Sequence, residues 1–85
     1  MATIIIYSSL TCPYCEHAKD LLEAKGLSYQ EINVEENPAY YREMLEKTKG
    51  ERTVPQIFID GKHIGGFSDL KRLSDSGKLE ALLKK

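Results

Sequence analysis

The apolar residues of this chain fall in short blocks whose period changes from two to nearly four and back, and those changes mark out its elements. Thr3 to Tyr7 is β-branched and apolar almost throughout, as expected of a strand buried on both faces and central in its sheet, and Ser8-Ser9 end it. Ala18, Leu21 and Leu22 then recur at helical spacing as far as Gly26, behind Thr11 as N-cap and Pro13 near the first helical position. Ser28 to Val34 predicts a second strand, in which Tyr29, Glu31 and Asn33 alternate imperfectly with Gln30, Ile32 and Val34. A helix is expected from Pro38, after Glu35, Glu36 and Asn37, with Tyr41, Met44, Leu45 and Thr48 on one face before Gly50. Ile57-Phe58-Ile59 and a brief His63-Ile64 flank Asp60-Gly61-Lys62, a hairpin signal. From Ser68 onward Leu70, Leu73, Leu79, Leu82 and Leu83 describe a final helical region broken near Ser76-Gly77, with Lys84-Lys85 suited to a helix C-terminus.

The order β-α-β-α-β-β-α predicts an α/β protein with a mixed four-stranded sheet flanked by helices. Its 85 residues, 41% of them hydrophobic, suffice for one modest core, so residues 1–85 are expected to form a single domain. Twelve basic side chains against 13 acidic ones leave a net charge of −1, which gives no broad attraction toward nucleic acid or an anionic membrane. The segment Met1 to Tyr7 lacks the charged and long apolar regions of a signal peptide, and no apolar run approaches a membrane span. The chain is accordingly expected to be a soluble, cytoplasmic monomer. In a reducing compartment a cysteine pair is more often catalytic or metal-binding than a permanent disulfide.

The two cysteines enclose Pro13-Tyr14, so that Cys12 sits in the loop after the first strand and at the start of the first helix. A thiol attacks disulfides only as its thiolate, and a helix N-terminus offers unpaired main-chain N–H groups and a favourable dipole to a negative sulfur. Cys15, one helical turn along, can reach Cys12 while being more buried. Cys12 is therefore read as the attacking thiolate and Cys15 as its resolving partner. The competing reading is half of a zinc site, but structural zinc needs four ligands and only His17 and His63 remain to complete one, on different predicted elements. His17 is read as a surface helix residue.

Three pieces in order, Cys12-Pro13-Tyr14-Cys15, Thr53-Val54-Pro55 before an apolar strand, and Gly65-Gly66-Phe67-Ser68-Asp69, together resemble a dithiol glutaredoxin of the thioredoxin-like superfamily, over nearly the whole chain. The resemblance implies a thioredoxin-like fold and a glutathione-dependent thiol-disulfide oxidoreductase that reduces protein disulfides and glutathione mixed disulfides, as an electron donor in redox homeostasis. It implies glutathione as reductant, no metal, and disulfide-bonded or glutathionylated proteins as partners, ribonucleotide reductase among them. Glutathione is then expected against Tyr14, Arg42, Thr53, Val54, Pro55, Gly66, Phe67, Ser68 and Asp69, with Pro55 resembling the family's cis-proline and Val54 pairing its main chain with the tripeptide. Gly65-Gly66 permits close backbone approach, and the helix start at Ser68-Asp69 is suited to the γ-glutamyl end. Many glutaredoxins carry a lysine where this chain has Ser9, so weaker glutathione binding is expected, with Arg42, Lys49 and Arg52 as candidate replacements for the missing charge. Recharging by a thioredoxin reductase, or an iron-sulfur centre shared by two chains, are the alternative functions; Pro13 counts against the second.

Overall fold

The computed structural model describes residues 3–83, so that Met1, Ala2 and the expected helix end at Lys84-Lys85 lie outside the described residues, as does the side chain of Leu83. Strand β1 (Ile4–Ser8) is followed by α1 (Pro13–Ala24), β2 (Gln30–Asn33), α2 (Pro38–Thr48), β3 (Gln56–Ile59), β4 (Lys62–Gly65), α3 (Phe67–Asp75) and α4 (Lys78–Leu83). The sheet runs in the order β2-β1-β3-β4, with β1 parallel to β2 and antiparallel to β3, and β4 antiparallel to β3. The mixed four-stranded sheet is as expected, with β1 interior to it.

Strand periodicity divides the core. Ile4 and Ile6 of β1 and Ile57 and Ile59 of β3 point to one face, where they meet Ala18 and Leu22 of α1, Leu70 of α3 and Leu79 of α4. The intervening Tyr7 and Phe58 point to the other face and meet Val34 and Met44, so α2 covers that side. Tyr7 and Phe58 pack edge to face with ring centroids 5.7 Å apart. The Tyr7 hydroxyl leaves the core to donate to Glu43 Oε2 at 3.0 Å, which satisfies its one polar group. Because both inner strands are covered on both faces, they carry continuous apolar runs instead of alternating ones.

Turn chemistry matches the sequence at the hairpin and departs from it at the helix starts. Asp60 (φ 51°) and Gly61 (φ 81°) both take positive φ, as the tight turn between β3 and β4 requires, and the Asp60 carboxylate also accepts from the Thr3 main chain at 2.8 Å. Asn37 caps α2, its side chain accepting from Ala39 N at 2.9 Å. The cap of α1 is Cys12 and not Thr11, and α3 begins at Phe67 with Gly66 as its cap, one residue before the expected Ser68 start. The second strand spans only Gln30–Asn33 of the expected Ser28 to Val34: Val34 still gives its main-chain N–H to Ser8 O, and the chain then turns, with Glu36 N donating to Asn33 O at 3.2 Å. The break near Gly77, which takes φ 78°, splits the final helical region into α3 and α4.

Leu22 sits at the centre of the larger core cluster with no exposed surface. Leu22→Ala should cost about 3 kcal/mol, read as a lower urea midpoint at unchanged slope. A loss below about 1 kcal/mol would mean that α1 is not held to the sheet by this cluster.

Candidate active site

The first turn of α1 is built around a sulfur atom. Pro13 occupies the first helical position and has no N–H, so the first turn's remaining donors include that of Cys15, and the extended backbone of Cys12 (φ −101°, ψ 108°) aims its side chain there. Cys15 N donates to Cys12 Sγ at 3.2 Å. A thiol thus takes the place that a serine or threonine hydroxyl usually holds, which is why Thr11, a better capping residue in general, is displaced. The sulfur stands at the positive end of the helix dipole, where negative charge is favoured. In the reduced protein the Cys12 thiol also donates to Val54 O at 3.4 Å, across a cis Val54–Pro55 peptide.

Cys15 is the opposite kind of thiol. It has no exposed surface, and burial, followed by the bond to Cys12, pushes its thiol up to about 12, with the Ser9 main chain and the Lys19 ammonium acting weakly the other way. One turn of helix therefore separates a half-buried sulfur facing a groove from a buried sulfur that holds its proton. Tyr7, by burial and its bond to Glu43, and Tyr29, by burial and its bond to Glu23, are likewise raised to about 12.

A groove of about 170 Å³ opens beside Cys12, lined by Tyr14, Thr53, Val54, Pro55, Gly66, Phe67, Ser68 and Asp69. These eight residues were expected to hold glutathione, and three separate chain segments bring them together. Arg42, the ninth, lies exposed on α2 and does not line the groove; Lys49 and Arg52 are exposed and outside it as well. At the groove's far wall Gly66 N donates to Asp69 Oδ2 at 3.1 Å, so the carboxylate closes the start of α3. Gly65 (φ 122°) is required twice over, since any Cβ there would run into the Asp69 carboxylate. A Cβ on Gly66 would stand 3.4 Å from Pro55 O, so the two groove walls approach closely at that point. Tyr14, 62% exposed, stacks on Phe67 with centroids 6.2 Å apart, and His17, exposed as expected, lies edge-on to Tyr14 and tilted on Phe67.

The Val54 carbonyl reaches the sulfur from 42 positions away in sequence, in keeping with the turn of that main chain toward Cys12 which the resemblance of Pro55 to a cis-proline implies. One feature of the site escaped the sequence reading. Lys19, four residues after Cys15, could have been found from helical spacing, and it joins Glu16 and Glu31 beside the buried thiol. Among the described residues no three His, Cys, Asp or Glu side chains gather as metal ligands would.

The family model described as Glutaredoxin matches residues 4–64. Glutaredoxin 3 of Escherichia coli strain K12 is 51% identical over 84 residues, which span 99% of this chain and 100% of that protein. Among solved structures, the glutaredoxin of Brucella melitensis superposes with a TM-score of 0.85 at 46% identity, covering 99% of this chain and 90% of the other. A buckwheat glutaredoxin–glutathione complex reaches a TM-score of 0.85 at 35% identity, covering 94% of this chain and 74% of the other.

The raised thiol and phenols have a consequence for stability. The folded protein holds these protons more tightly than the unfolded chain, whose cysteines and tyrosines release theirs near about 8.5 and about 10. Their contribution is therefore complete below those values and is lost as pH climbs toward the folded values of about 12. Denaturant titrations of the reduced protein should show stability falling above about pH 8.5, and Cys15→Ser should remove the part of the slope nearest that value. An identical slope in both proteins would contradict the burial assigned to this thiol.

Proposed function

The chain belongs to the glutaredoxin family, thiol oxidoreductases of the thioredoxin-like superfamily, and from that premise we propose that it reduces glutathione mixed disulfides through Cys12 alone and protein disulfides through Cys12 and Cys15 together. The observation that carries this reading is the sulfur of Cys12 at the cap of α1, accepting the Cys15 N–H at 3.2 Å and opening onto the groove beside Val54.

In the first branch the Cys12 thiolate attacks the glutathione sulfur of a glutathionylated protein. A Cys12–glutathione disulfide forms, the protein sulfur leaves with the bonding pair, and it takes a proton. A second glutathione thiolate then attacks that disulfide, releasing glutathione disulfide and restoring Cys12. In the second branch Cys12 attacks a protein disulfide and Cys15 displaces the reduced protein, leaving an internal disulfide that two glutathione molecules reopen. Burial of Cys15 supports the division, since a thiol that keeps its proton competes poorly as first attacker.

The groove supports glutathione as the partner. The Val54 main chain offers an extended peptide an edge to pair with, Tyr14 and Phe67 give the groove an apolar wall, and the start of α3 offers main-chain N–H groups to a carboxylate. Among the described residues no lysine or arginine lines it, in keeping with Ser9 standing where many glutaredoxins carry lysine.

A coupled assay with glutathione, its reductase and a small glutathione mixed disulfide tests the reading directly, and turnover is expected. Cys15→Ser should retain that turnover and lose reduction of a protein disulfide by at least about a hundredfold, the resolving step being absent. Loss of both activities in this variant would show that the two sulfurs are not divided in this way. Ser9→Lys should lower the KM for glutathione several-fold by placing a cation near the groove; an unchanged KM would remove the charge deficit from the account.

A further inference from the structure

The buried thiol has a charged neighbour that the reactions above leave without a role. Lys19 follows Cys15 by one turn of α1, and its ammonium lies 2.6 Å from Glu16 Oε2 and 3.0 Å from Glu31 Oε2. Its side chain is only 17% exposed, against 28% for Lys25, 50% for Lys47 and 57% for Lys71 in other ion pairs of this protein, so it is the most buried of these paired lysines. The same Glu31 oxygen accepts from Ser8 Oγ at 2.6 Å, and Ser8 is fully buried at the end of β1. The next residue, Ser9, turns its main chain to the Cys15 sulfur. The clamp on Lys19 is therefore anchored to the backbone segment that also holds the buried thiol.

We propose that Lys19 is a positioning residue for the resolving step: clamped by Glu16 and Glu31, its ammonium supports the negative charge that Cys15 carries when it attacks Cys12, and so sets the balance between dithiol and monothiol chemistry. The inference rests on the two-branch reading given above. In the resolving step the Cys15 thiol gives its proton to solvent, and the resulting thiolate attacks Cys12 Sγ of the mixed disulfide. The Cys12–Cys15 bond forms as the bond from Cys12 to the substrate sulfur breaks, and the departing thiolate leaves with the electron pair and takes up a proton. That charge must appear in a place from which water is excluded, where a fixed cation is worth more than in solution.

The clamp also decides what Lys19 does not do. Its two carboxylates hold the lysine proton more tightly than usual, and the Ser8 hydroxyl, followed by Lys19, holds Glu31 below the ordinary carboxylate range. Neither group is suited to take the Cys15 proton, so the effect of Lys19 is that of a permanent charge. The charged and titratable groups facing Cys15 are Cys12 and Lys19; those facing Lys19 are Glu16 on its own helix and Glu31 and Tyr29 from the β2 side. Both carboxylates are more exposed than the ammonium they hold, 61% and 38% against 17%, and of the three charges only Lys19, one turn of α1 beyond Cys15, acts on the buried thiol. His17 turns the other way, against Tyr14 and Phe67.

The test loads Cys12 with glutathione from glutathione disulfide and follows release of glutathione as Cys15 closes the internal disulfide, from pH 6 to 9. Lys19→Gln should slow closure several-fold relative to the rate of loading and move its pH profile upward, and Lys19→Arg should restore both. Lys19→Met, which keeps the apolar stem, repeats the loss of charge should the glutamine variant not fold. Closure at the wild-type rate with an unshifted profile would overturn the proposal, as would an arginine variant as slow as glutamine, which would mark packing as the cause. Failure of the wild-type protein to load glutathione on Cys12 would instead overturn the underlying reading, and the role of Lys19 with it.

Discussion

The hydrogen bond from the Cys15 main chain to the Cys12 sulfur is the contact on which the site depends. It is at once a helix cap and a restraint on the thiol, so the stability of the first turn of α1 and the orientation of the reactive atom are one feature. Pro13 makes the arrangement selective: it supplies a fixed φ for the first helical residue and withholds a competing donor. The positive end of the helix and its unpaired N–H groups surround the sulfur, and they are rigid as long as α1 is docked on the sheet through Ala18 and Leu22.

Sheet order then determines what faces that sulfur. Because β1 lies beside β3, the loop that follows β1 and the turn that precedes β3 emerge at the same end of the sheet, and Val54 comes within 3.4 Å of Cys12 although the two are far apart in sequence. The hairpin to β4 carries the chain on to Gly65 and Gly66, whose lack of side chains lets the start of α3 close the groove from the other side. Three chain segments thus contribute one wall each, and every wall lies at or next to the end of a regular element. Such a groove is shaped before anything enters it, which reduces the ordering cost of binding a flexible tripeptide on the proposed reading.

Much of this was legible in the chain. The apolar run of β1, the Asp60-Gly61 turn and the helical spacing of Ala18, Leu21 and Leu22 each have a single sensible interpretation, and together they give the order of elements. The cap at Cys12 was less accessible, because general preferences favour Thr11 and only the missing N–H of Pro13 shifts the choice by one residue. Arg42 shows the limit from the other side: the resemblance and the helical pattern place it on α2, where it is exposed and outside the groove's lining, and residue type does not fix how far such a side chain extends. The approach of the Val54 main chain to Cys12 was legible only through its neighbour, Pro55, since a carbonyl carries no signal of its own in residue type.

The two cysteines illustrate how one short motif can hold two chemically different thiols. Spacing places one at the cap of α1 and the other a turn along it, and so already predicts that Cys15 is the deeper. Their difference comes from depth: Cys12 is the cap, outside the helical ladder and at the groove, whereas Cys15 faces inward beneath that turn and is fully buried. A buried thiol keeps its proton, which protects it from reacting first, yet on the proposed mechanism the same burial obstructs the moment at which it must react. Raising the barrier for the wrong step also raises it for the right one unless some group distinguishes the two. A permanent charge beside Cys15 cannot make that distinction by itself, because it favours the thiolate at all times. The mixed disulfide can: once Cys12 is bonded to substrate its sulfur is neutral and no longer opposes a second negative charge next to it, so the supporting cation acts without opposition only after the first step has occurred.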